Sequence, residues 1–119
     1  MKIISSFYDK LQRAVMALPE VHEKLCYGTP GFYADKKLLA RLKEDGETVA
    51  IYNNDRDEWM AKNGDIFFIT DHYKNSPMLL VDLNLVSNDD LEILVKEAWE
   101  MRASKKILNQ YSALVRKKT

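Results

Sequence analysis

From Val21 to Leu85 the apolar residues fall in short segments divided by turn residues, while on either side they recur at three- and four-residue spacing. Short segments bounded by Gly, Pro, Asn and Asp read as strands of an antiparallel sheet, and the longer spacing reads as amphipathic helix. This order restricts the chain to an α+β domain: a helix, five to six strands with a small helix inserted, then helix again. The N- and C-terminal helices are expected to pack on one face of the antiparallel sheet, leaving the other open to partners. With 119 residues there is enough chain for one such core and too little for two, so 1–119 reads as a single domain.

The first helix is expected from Ser5 or Ser6 to Leu18, on the spacing of Ile4, Phe7, Leu11, Ala14, Val15 and Leu18, with Pro19 as its stop. A strand over Val21 to Tyr27 leads to the turn cluster Gly28-Thr29-Pro30-Gly31, and Phe32 to Ala34 then reaches the polar tip Asp35-Lys36-Lys37. Asp45-Gly46, between Leu38–Lys43 and Thr48–Tyr52, predicts a hairpin in which both turn residues take positive φ. Strict alternation in its first strand puts Leu38, Ala40 and Leu42 on one face and Leu39, Arg41 and Lys43 on the other, projecting the two cations to solvent. Asn54 to Lys62 reads as a short capped helix, and the apolar runs Ile66 to Ile69 and Leu79 to Leu85 read as central strands. Ser87-Asn88-Asp89-Asp90 opens the main helix, with Leu91, Leu94, Val95, Ala98 and Trp99 as its apolar face. After a break at Ala103-Ser104, the positions Ile107, Leu108, Tyr111, Leu114 and Val115 predict a helical extension over 104–119.

Several function classes are excluded early. The one cysteine, Cys26, forms no internal disulfide and fits a reducing compartment, so a cytoplasmic protein is expected. No apolar run approaches the roughly 20 residues of a bilayer helix, and no membrane partner is expected. On a strand, His22 and Cys26 stand about 13 Å apart, far beyond proton-transfer reach. Asp71-His72 has only the adjoining Thr70 as hydroxyl, too close along the chain to be oriented as a nucleophile. No catalytic set emerges, and the chain is read as a binding protein, not an enzyme. Asp55, Asp57 and Glu58 lack the pattern of a calcium loop and read as a helix start, so no metal is expected. Without a Walker-type or dinucleotide glycine pattern, no cofactor is expected either.

Eighteen basic and eighteen acidic side chains leave no net charge, yet residues 102–119 hold six basic side chains and no acid. Lys36 and Lys37 at one tip, Arg41 and Lys43 on the next strand, and Lys105 and Lys106 in the basic extension form a candidate nucleic-acid face. DNA binding through it would be weak, sequence-tolerant and salt-sensitive. Asp35, Glu44, Asp45 and Glu47 crowd the same tips, so a solvated mixed-charge surface is the competing reading. The alternative is a small-molecule or protein-interaction module with Tyr27, Gly28, Thr29, Pro30, His72 and Tyr73 lining a pocket on the open sheet face.

Cys26-Tyr27-Gly28-Thr29-Pro30-Gly31-Phe32, Lys37-Leu38-Leu39-Ala40-Arg41-Leu42, Phe68-Ile69-Thr70-Asp71-His72-Tyr73 and Pro77 to Leu83, taken in that order with Ala98-Trp99 before Arg102-Ala103, resemble the MmcQ/YjbR-like family of small bacterial proteins. The resemblance covers about residues 5 to 108. It implies a CyaY-like (frataxin-like) sandwich and a DNA-binding role resting on a winged arrangement, with no catalytic set to carry over. Kinship with frataxins would add iron delivery through an acidic first helix, but residues 5 to 18 hold only Asp9 against Lys10 and Arg13.

Overall fold

The computed structural model describes residues 6–117, with side chains up to Ser112; Ile4, Ser5, Lys118 and the side chains of Leu114, Val115, Arg116 and Lys117 lie outside the described residues. Helix α1, Ser6–Met16, buries Leu11 and Val15 and ends two residues short of expectation, the chain turning through Pro19 and Glu20 at φ +59°. Strands β1 (Val21–Cys26) and β2 (Thr29–Ala34) are joined by Tyr27 and Gly28 alone, both at positive φ, as a type I′ hairpin turn requires. Then come β3 (Lys37–Leu42), β4 (Thr48–Tyr52), α2 (Arg56–Lys62), β5 (Phe67–Phe68), a 3₁₀ turn (Asp71–Tyr73), β6 (Met78–Asp82), α3 (Asn88–Arg102) and α4 (Lys105–Lys117). The six strands form one sheet in the order β1-β2-β3-β4-β6-β5, antiparallel throughout. The domain is α+β, as the pattern of segments predicts.

Helices α1 and α3 pack together on one face of the sheet, over a core of Phe32, Leu39, Ile51, Leu79 and their neighbours. Helix α3 starts as read: Ser87 Oγ accepts from the Asp90 N–H at 3.0 Å, and Leu91, Leu94, Val95, Ala98 and Trp99 are all buried. Trp99 donates from Nε1 to the Pro19 carbonyl at 2.9 Å and meets the Tyr111 ring edge-on at 5.1 Å, tying α3 to α4 and to the turn that follows α1.

Two local expectations are corrected. The run Ile66 to Ile69 is not a central strand; only Phe67 and Phe68 pair, at the sheet's edge, with β6 alone. They are apolar because the Trp59 ring of α2 lies on Phe67, centroids 5.0 Å apart, and a covered edge needs apolar side chains as much as a central strand does. The Asp45-Gly46 hairpin exists, but as a longer loop closed by the Lys43 N–H on the Thr48 carbonyl at 2.7 Å, with positive φ at Gly46 only. Asp45 acts through its carboxylate, which accepts from the Glu47 and Thr48 N–H groups at 2.8 and 2.9 Å and from the Thr48 hydroxyl at 2.8 Å.

Partial burial raises the Asp45 pKa, but these hydrogen bonds outweigh it and hold the carboxyl below its usual range. A folded-state pKa below the unfolded one means the contribution is complete above the unfolded value and is lost as pH falls through the folded value. Asp45→Ala is therefore expected to cost about 1 kcal/mol at neutral pH, by urea denaturation, with the gap to the parent protein closing in strong acid.

Candidate binding site on the open sheet face

The site begins with a break in strand register. Between β2 and β3, Phe32 lies opposite Ala40 but Tyr33 lies opposite Leu38, so Leu39 is the extra residue of a bulge. Leu39, Ala40 and Leu42 all reach the helix-side core, while Leu38 and Arg41 turn to the other face. There Gly31, Arg41, Ala50 and Leu80 face one another in a row across the sheet. Arg41 and Lys43 do lie on the face opposite Ala40 and Leu42, as alternation predicts, but the bulge exchanges the faces expected for Leu38 and Leu39, and Arg41 is not projected to solvent: it is 7% exposed.

Gly31 helps to seat this arginine. A Cβ on it would fall 2.8 Å from Cys26 Cβ, so the missing side chain lets Cys26 close in beside Arg41. Arg41 Nε donates to the Cys26 carbonyl at 3.0 Å and Nη2 to Glu44 Oε2 at 2.7 Å. The remaining nitrogen, Nη1, has no partner among the described residues. Among the described residues no fully buried side-chain nitrogen or oxygen lacks a partner, so Nη1 is in reach of solvent. Burial pushes the guanidinium pKa down, but the bond to Glu44 outweighs it and the net shift is upward. The same bond holds the Glu44 carboxyl below its ordinary value. Arg41 is a fixed cation with part of its donor set uncommitted.

Around Arg41 the open face forms a concavity of about 670 Å³. Its floor is Leu38, Ala50 and Met78; Tyr27, His72 and Tyr73 stand around it. Lys43 donates to the Tyr73 hydroxyl at 2.6 Å and lies 5.0 Å from the centre of that ring, with Glu44 Oε1 3.8 Å away. Beside the floor, the neighbouring Cys26 thiol, followed by burial, pushes the Tyr33 pKa up to about 12. One wall is the loop after the 3₁₀ turn. Its carbonyls at Tyr73, Lys74, Ser76 and Met78 all accept from the Arg56 guanidinium.

Tyr27 is the odd residue of the site. It is 89% exposed and sits at φ +51°, a conformation costing an ordinary side chain roughly 1–2 kcal/mol. Its ring centre is 5.4 Å from the Arg41 guanidinium carbon.

Of the residues expected to line a pocket, Tyr27, His72 and Tyr73 do so and Gly28, Thr29 and Pro30 do not. Gly28 completes the turn, Thr29 donates its hydroxyl to the Cys26 carbonyl, and Pro30 pairs with Leu25 in the sheet. The expected cationic face separates into two groups. Arg41 and Lys43 belong to the concavity, whereas Lys36 and Lys37 are exposed at the other end of β3. Lys105 and Lys106 are exposed at the start of α4, where Lys106 shares a recess with Asp35 and Glu20. Cys26, Leu38, Glu44, Ala50, Ser76 and Met78 went unpredicted as lining. The signal that would have found Leu38 is the unbroken run Leu38-Leu39-Ala40, which alternation cannot accommodate.

A second recess of about 430 Å³ lies between α1 and α3, but its Lys10 is committed to the Leu83 and Val86 carbonyls, closing the turn before α3. Among the described residues no cluster of three or more His, Cys, Asp or Glu is placed to hold a metal, and no helix is long and apolar enough to cross a membrane.

Fold and site together define an α+β domain with a cationic, aromatic-rimmed hollow on the sheet face away from its helices. Its sequence is similar to the uncharacterized protein Rv2570 of Mycobacterium tuberculosis and the uncharacterized protein Mb2600 of Mycobacterium bovis. Each is 28% identical over 123 aligned positions, which span 89% of this chain and 95% of the relative. No family model matches the chain, and no solved structure does.

Proposed function

We propose that this protein is a non-enzymatic cytoplasmic binding module that takes a small anionic molecule into the open-face concavity, with Arg41 as its anchor. The observation that carries this reading is the uncommitted Nη1 of an otherwise buried arginine, set above an apolar floor. Desolvating a guanidinium is costly, and leaving part of its donor set unused is reasonable where a ligand completes it. The volume falls in the range of small-molecule sites. Membership of the MmcQ/YjbR-like family is part of the proposal, supported by the layered sheet and terminal helices. The DNA-binding role which that family implies has less support, because Arg41 and Lys43 are separated from Lys36 and Lys37 by the length of β3, and Asp35 and Glu20 stand beside Lys106.

Arg41→Met tests the proposal. Methionine keeps most of the side-chain volume, and the Glu44 left behind is exposed to water, so the domain stays folded. In a protein-observed NMR titration with acetate and phosphate, the parent protein is expected to show saturable shifts around residues 26–27, 41–44 and 73. The variant loses at least about ten-fold in affinity, roughly 1.4 kcal/mol. Equal titration curves for the two proteins overturn the reading. Steeply salt-dependent duplex binding by fluorescence anisotropy, abolished by removing Lys36 and Lys37, would establish the nucleic-acid role instead.

A further inference from the structure

We infer that the ligand of this concavity is a planar aromatic monocarboxylate, and that Tyr27 is the residue that recognises its ring. The inference rests on the small-anion reading above and narrows it in two respects, charge and shape.

Charge follows from the lining. Arg41 and Lys43 contribute two positive charges and Glu44 removes one, leaving an excess of one. A singly charged carboxylate balances this, whereas a phosphate dianion would leave net negative charge over an apolar floor. Nη1, the nitrogen left uncommitted, can donate a charge-assisted hydrogen bond to one carboxylate oxygen.

Shape follows from Tyr27. A two-residue turn of this type favours Asn or Gly ahead of the following glycine, because both central residues take positive φ. Here a bulky aromatic residue stands in that place, strained and 89% exposed. Packing of the folded core gives no reason for it. It lies over Arg41 at the mouth of the site, across from the ring of Tyr73, with Leu38, Ala50 and Met78 below. A flat ring whose carboxylate meets Arg41 would rest on that apolar floor and present a face or edge to Tyr27, the contact that aromatic pairs favour. Strain retained at an exposed position beside an unfinished cation is a common mark of a binding residue.

The test compares benzoate with acetate, by NMR titration and by thermal unfolding, in the parent protein and in Tyr27→Asn and Tyr27→Phe. Benzoate is expected to bind the parent protein at least about ten-fold more tightly than acetate, or 1.4 kcal/mol. Tyr27→Asn collapses that ratio to near one while raising Tm, since asparagine tolerates the turn better; Tyr27→Phe keeps the ratio. An unchanged ratio in Tyr27→Asn, or a fall in its Tm, overturns the inference. Arg41-dependent acetate binding without preference for benzoate overturns it too, but leaves the small-anion reading standing. Binding of neither anion defeats both.

Discussion

Arg56→Ala is expected to lower the unfolding free energy by about 3 kcal/mol and to weaken anion binding at the distant Arg41 by about ten-fold. Arg56 touches no lining residue's side chain in this role; it donates to main-chain carbonyls at Tyr73, Lys74, Ser76 and Met78. Charge-assisted bonds of this kind contribute roughly 1.5–3 kcal/mol each. Their sum overstates the loss, because exposed loop carbonyls recover water once the arginine is gone. The effect on binding follows from geometry. The loop carries His72, Tyr73 and Ser76, and Tyr73 in turn holds Lys43 through its hydroxyl. Releasing the loop lets one wall and one cation of the hollow drift together. Arg56→Lys should recover only a minor part, since a compact ammonium cannot span four acceptors as a planar fork does. Hydrogen exchange at residues 73–78 separates this account from a global one. Selective acceleration there supports it, and uniform acceleration across the sheet refutes it.

Trp99→Ala is the most damaging single change, at about 4 kcal/mol by urea denaturation. The side chain is 1% exposed, so its removal leaves a large void between α3 and the sheet. It also strands the Pro19 carbonyl and removes the ring contact that draws Tyr111 of α4 onto the core. Against a total stability of some 5–15 kcal/mol for an ordinary domain, this loss takes much of the margin. Trp99→Phe fills most of the void and gives up the indole donor, for an expected cost of roughly 1–2 kcal/mol. A loss below about 1 kcal/mol for alanine would contradict the placement of α3 against the core.

What a reader of the chain alone recovers depends on whether a signal is local. Helix α3 is legible because Ser87 and the two aspartates behind it satisfy a helix start within one turn. The β3–β4 hairpin is legible from its turn residues, though there the aspartate works by side chain and only the glycine by backbone. The expected β1–β2 turn cluster Gly28-Thr29-Pro30-Gly31 is corrected, because the chain turns at Tyr27-Gly28 and Thr29, Pro30 and Gly31 pair with β1 as part of β2. The aromatic rim is legible too, as Tyr27, His72 and Tyr73 flank turns that reach the same face. The face taken by Arg41 and Lys43 is legible from alternation against Ala40 and Leu42, but the burial of Arg41 and the faces of Leu38 and Leu39 are not. The latter depend on one extra residue in β3 relative to β2, a relation between two strands, and periodicity within one strand carries no trace of its partner. The edge position of β5 is hidden for a similar reason, because the Trp59 that covers it belongs to another element.

The two borders of the sheet differ in a way that limits how copies of this molecule can associate through main-chain pairing. On one side only Phe67 and Phe68 are available, with the Trp59 ring of α2 against Phe67; on the other, six residues from Val21 to Cys26 pair, among the described residues, with β2 alone, and Leu25 is 74% exposed. An indefinite fibre needs two complementary rims per subunit, one to give and one to receive. With a single usable rim, strand addition between identical copies would be symmetric and end at two, so this asymmetry itself guards the fold against runaway polymerisation.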